Sequence, residues 1–96
     1  MLIAVSIFME DASYAQKYYV YILRSIVIPD KYYVGYTANI SRRLEEHNTK
    51  SQIYSKRYAP WRLITYIVFN NSERAKGFEE YLKTHSGRAF LGKHLI

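Results

Sequence analysis

The chain has 96 residues, about half of them apolar and 17% aromatic, with 14 Lys and Arg against 8 Asp and Glu for a net charge of +6. That length sets one small domain with a modest core, and the apolar content excludes a disordered chain. Without cysteine, disulfides, thiolate metal sites and a cysteine nucleophile are excluded and a cytoplasmic location is expected; no apolar run nears the ~18 residues of a membrane helix.

Residues 1–9, MLIAVSIFM, are apolar, carry no basic leader and are followed by Glu10 and Asp11, a pattern unlike a secretory signal. Residues 1–17 are therefore expected to be an N-terminal extension, and 18–96 the domain. Residues 18–24, YYVYILR, are aromatic and β-branched, as a buried strand is. Pro29-Asp30 marks a turn, and YYVGY over 32–36 resumes strand character, close enough for an antiparallel hairpin. Gly35 within it marks a bulge or a close approach, for which a phosphate is one candidate.

A helix is expected from an Asn39 cap. Ile40 and Leu44 give it an inward edge, and Arg43 and His47, also four apart, share the neighbouring stripe. Asn48 to Ser55 reads as a loop. WRLITYIVF over 61–69, introduced by Pro60, reads as a third strand. Ser72 is expected to cap a second helix running to about His85, with Ala75, Phe78 and Leu82 inward and Glu79 at the edge of that face. Ser86-Gly87 would end it, before a short helix over 88–95. His85 and His94 are assigned to helix ends, where a charge interacts with the dipole. The expected fold is a single α+β domain, a three-stranded, mainly antiparallel sheet flanked by helices.

Charge is unevenly placed. Residues 1–36 balance Lys17, Arg24 and Lys31 against Glu10, Asp11 and Asp30, so the whole excess lies in 37–96. A basic surface with interleaved aromatics points to a polyanionic partner, of which nucleic acid is the commonest, while ribosomal association and anionic lipid fit the charge equally well. No HExxH, P-loop, GxGxxG or GxSxG pattern is present, so those chemistries have no support.

In order, the informative residues are Tyr21, Tyr33-Val34-Gly35, Thr37, Arg43, His47 and Glu79. This pattern resembles the GIY-YIG nuclease superfamily, in particular its small stand-alone bacterial members. The first motif stands as Tyr19-Val20-Tyr21 and the second as Tyr33-Val34-Gly35. NISRRLEEHN carries Arg43 and His47, and Ala75 through Lys83 supplies the A-x-x-x-E-x-x-L-K stretch with Glu79. The likeness spans about 18–95. Tyr19 and Val20 depart from the Gly and Ile of the family name, and no appended DNA-recognition domain is visible.

The resemblance implies a Mg²⁺- or Mn²⁺-dependent endonuclease acting on DNA, with Glu79 as metal ligand and Tyr21, Tyr33, Arg43, His47 and Glu79 as catalytic residues. The chemistry suits these side chains. Mg²⁺ keeps most of its waters and takes one or two carboxylates. Arg43 is a permanently charged fork that matches a phosphate. Arg43 and a metal would favour a phenolate at Tyr21 or Tyr33, with His47 sharing the proton. Lys50, Lys56, Arg57, Arg62 and Arg88 are candidates for the phosphate backbone. Taken singly, most of the 11 tyrosines are structural, and Tyr18, Tyr32, Tyr36 and Tyr66 are assigned to packing or the surface. An Arg–His pair on a helix is usually solvated, and Glu79 with Lys83 is usually a helix-stabilising ion pair. Two other classes remain: a catalytically silent nucleic-acid-binding module on the same scaffold, and a small structural protein that forms a homodimer.

Overall fold

The computed structural model describes residues 16–49 and 56–96. Three strands, β1 (Tyr18–Ser25), β2 (Tyr32–Thr37) and β3 (Trp61–Phe69), form one antiparallel sheet in the order β2-β1-β3. Three helices complete the α+β domain: α1 (Ile40–Asn48), α2 (Ser72–Leu82) and α3 (His85–His94). Among the described residues no helix is long and apolar enough to cross a membrane. The expected extension over 1–15 and Lys50 lie outside the described residues.

Central strand β1 is apolar on both faces because helices cover both, and its alternation divides the core. Val20 and Ile22 pack with Val34, Ala75, Leu82 and Leu91 under α2 and α3. Tyr21 and Leu23 pack with Trp61 on the other side, against Ile40 and Leu44 of α1. The inward edges expected for both helices are thus the observed ones. Burying each such Leu or Ile contributes about 1.5–3 kcal/mol.

One irregularity places a site residue. Ile22 pairs with Thr65 but Leu23 with Leu63, so Ile64 is an extra residue in β3. Strict alternation would put Trp61 on the face of Thr65 and Phe69. The bulge reverses the faces before it, and Trp61 joins Tyr21 and Tyr33 on the α1 side.

Helix boundaries differ from expectation in three places. Asn71, not Ser72, caps α2, accepting from the Arg74 N–H at 2.9 Å. The helix ends at Leu82, because Thr84 caps α3 by accepting from the Gly87 N–H at 3.1 Å. Ser86 and Gly87 therefore lie inside α3 rather than ending α2. A Cβ at Gly87 would overlap the Tyr81 carbonyl, so glycine there serves the α2–α3 approach. His85 is consequently the first residue of α3, where a positive charge opposes the dipole, while His94 does lie in the last turn.

Candidate active site

Tyr21 is the centre of the site. It is only 1% exposed, on the middle strand. Gly35 is its direct partner on β2. A Cβ at Gly35 would overlap Tyr21 Cζ and Oη, so the close approach made at this glycine is the Tyr21 ring rather than a phosphate. The bare backbone lets the ring lie across β2 and carry its hydroxyl to α1.

There the i, i+4 spacing of α1 brings two side chains to one oxygen. Arg43 Nε donates to Tyr21 Oη at 3.2 Å, and Tyr21 Oη lies 2.9 Å from His47 Nε2. The direction of the Tyr21–His47 bond follows the imidazole tautomer: with the neutral ring protonated at Nδ1, Nε2 accepts from the phenol O–H. His47 is fully buried, and its Nδ1 has no partner among the described residues. Burial and the Arg43 charge push His47 down to about 4, so it is neutral at pH 7.

Burial also pushes the Tyr21 phenol up, to about 12, and the Arg43 hydrogen bond and charge only partly offset it; Tyr33 and the Glu79 carboxylate raise it further. Arg43 by itself therefore does not draw Tyr21 toward neutral pH. Desolvation of the phenolate outweighs one guanidinium. Burial opposes the charge on Arg43 as well, but hydrogen bonds to Glu46 and Tyr21 dominate and hold it cationic.

Tyr33 stands beside His47, ring centroids 4.5 Å apart, and Trp61 lies edge-on to both rings. Tyr33 also lines a cleft of about 300 Å³ with Tyr32, Leu82, Lys83 and Arg88. Glu79 stands on α2 with a largely buried side chain, 2.5 Å from Lys83 Nζ. Among the described residues no three His, Cys, Asp or Glu side chains gather into one ligand set. A single carboxylate such as that of Glu79 would suit Mg²⁺ or Mn²⁺ completed by water and phosphate and would not suit a softer metal.

The backbone-binding candidates do not share one surface. Arg88 borders the Tyr33 cleft. Arg62 lines a separate cavity with Arg24, and Lys56 and Arg57 are exposed before β3. Tyr18 stacks on Tyr36 and Tyr66 is 48% exposed, in keeping with packing and surface roles.

Three contributors escaped the sequence reading. Glu46 accepts from Arg43 Nη1 at 2.9 Å and orients the guanidinium; its i, i+3 spacing was the available signal. Asn48, expected in a loop, ends α1 and clamps the backbone of Trp61, accepting from its N–H at 2.6 Å and donating to its carbonyl at 3.3 Å. Trp61 itself depends on the β3 bulge, for which the sequence carries no mark.

Residues 17–92 match the GIY-YIG catalytic domain, a nuclease-type domain. The chain belongs to the GIY-YIG family. Over 85 residues it is 34% identical to UPF0213 proteins of Streptococcus pyogenes serotypes M3, M1 and M12, the match covering 82% of this chain and 89% of each relative.

Proposed function

We propose that the protein is a divalent-metal-dependent endonuclease that hydrolyses phosphodiester bonds in DNA. The observation that carries the reading is the Tyr21 hydroxyl held between Arg43 Nε and His47 Nε2. A phenol is a poor base unless its proton has a destination and its developing charge a counterion. Arg43 supplies the second; His47, held at about 4 by burial and the Arg43 charge, supplies the first once an anionic phosphate seated against Arg43 offsets that charge and raises it. In this reading Tyr21 then takes a proton from the attacking water as it passes its own to His47, and Tyr33 forms the cleft wall that aligns the scissile group. Arg43 Nη1 is engaged by Glu46, which leaves Nη2 to donate to a non-bridging phosphate oxygen. Glu79 would hold Mg²⁺ or Mn²⁺, which neutralises phosphoryl charge and stabilises the leaving oxygen when bound. Arg88, at the cleft rim, would draw the phosphate backbone in.

The test is cleavage of labelled single-stranded, duplex and branched DNA, with RNA beside them, in Mg²⁺ or EDTA. Wild type is compared with separately purified Glu79→Ala and Arg43→Ala proteins. Products from wild type alone, and only with metal, are expected. Identical traces from all three folded proteins overturn the catalytic reading and leave a binding module.

A further inference from the structure

A second basic feature lies away from the Tyr21 cluster. Arg24 and Arg62 are direct partners across the antiparallel β1–β3 pair. Like charges in that relation repel and destabilise a sheet. They line a cavity of about 350 Å³ with Ser25, Ile26 and Pro29, and among the described residues no carboxylate contributes to its wall. Among the described residues the ion pairs are Arg42 and Arg43 with Glu46, and Lys83 with Glu79, so neither cavity arginine has an acidic partner. Arg24 Nε is buried and lacks a hydrogen-bond partner among the described residues. A buried donor of a charged group left unsatisfied is costly, and an anionic acceptor would satisfy it.

We propose that the Arg24–Arg62 cavity binds a second phosphate of the nucleic-acid backbone, distinct from the phosphate cleaved. Two guanidinium forks closing on one phosphate would satisfy Arg24 Nε and cancel the cross-strand repulsion. Arg24 is three residues from Tyr21, about 10 Å along the strand and on the other face of the sheet, so the two sites cannot share a phosphate. Assigning this phosphate to nucleic acid rests on the nuclease reading. A lipid headgroup offers the same chemistry, and Ile26, Val27 and Ile28 beside the cavity are 57%, 61% and 43% exposed. The nuclease-type domain favours nucleic acid.

The experiment measures DNA affinity of the full chain by fluorescence anisotropy in EDTA between 50 and 200 mM salt, for wild type, R24Q, R62Q and R24Q/R62Q. Losing one phosphate contact flattens the log–log salt slope by about 0.9 on duplex and about 0.7 on a single strand. The affinity deficit of the double variant on duplex should therefore shrink about 3.5-fold across that range. R62Q alters an exposed position, so it carries the test if R24Q does not fold. Wild-type slopes in folded variants, beside a wild type that binds and cleaves DNA, overturn this site and leave the nuclease reading standing. A wild type that neither binds nor cleaves nucleic acid overturns both. Sedimentation of wild type but not the double variant with phosphatidylglycerol vesicles, with DNA slopes unchanged, overturns nucleic acid in favour of a membrane.

Discussion

Gly35→Ala tests how the site is built. A methyl at this position would occupy the volume of Tyr21 Cζ and Oη and stand 2.7 Å from Cε1. The ring cannot swing aside freely, because the residue is 1% exposed and its hydroxyl is held by Arg43 and His47. Overpacking a core costs about 1–3 kcal/mol. The two hydrogen bonds of the displaced phenol add about 0.5–1.5 kcal/mol each, while replacing a strand glycine returns about 0.5–1 kcal/mol. A net loss of about 1–5 kcal/mol is expected, a drop in Tm of at least ~4 °C for a domain this small. Urea unfolding measures it, and a double-mutant cycle isolates the cause. With the ring removed by Tyr21→Ala, the added methyl loses its three nearest neighbours and Gly35→Ala should cost far less. Cleavage by Gly35→Ala should fall by about 10²-fold or more as the phenol leaves His47. An equal cost in both backgrounds, or wild-type stability of the single variant, would refute the close approach as the reason for glycine.

Stability should also depend on pH at both ends of the range. The folded value for His47, about 4, lies below its ordinary 6.5, so the unfolded chain binds the proton first. Stability is full above pH 6.5 and falls as pH drops toward 4, by about 3 kcal/mol; a flat urea-midpoint profile over that interval would contradict it. Tyr21 is raised from 10.0 to about 12, so stability should decline again as pH rises through that interval. Asn48→Ala should cost about 1–2 kcal/mol by removing both contacts to the Trp61 backbone, and should red-shift the emission of the single Trp; unchanged fluorescence and midpoint would dismiss the clamp. Glu79→Gln should abolish metal-dependent cleavage while shifting stability by less than about 0.5 kcal/mol, since its ion pair with Lys83 is an i, i+4 contact on a helix. Residual Mg²⁺-dependent turnover near the wild-type rate would remove Glu79 from the metal.

The strands, the Asn39 cap and the inward edges of α1 and α2 were legible in the sequence because each depends on local periodicity and capping chemistry. The i, i+4 relation of Arg43 and His47 was legible for the same reason, and motif order was enough to indicate the family. Local pattern fails where a residue's role is set by something distant in the chain. Gly35 and Tyr21 show this: neither by itself says that one makes room for the other, and only strand register brings them together. The division between α2 and α3 turned on capping, with Asn71 rather than Ser72 capping α2 and Thr84 starting a new helix that takes in Ser86 and Gly87. The reach of Trp61 to His47 required a bulge at Ile64 that reverses the faces of β3. The titration of Tyr21 was likewise a tertiary matter: the sequence supplied the cation, but depth of burial decided that the phenol stays protonated. Sequence by itself determined which chemistry-bearing side chains exist and which face of each helix carries them. Packing decided their partners, their solvent access and their protonation, because those depend on distances across the sheet that no local pattern contains.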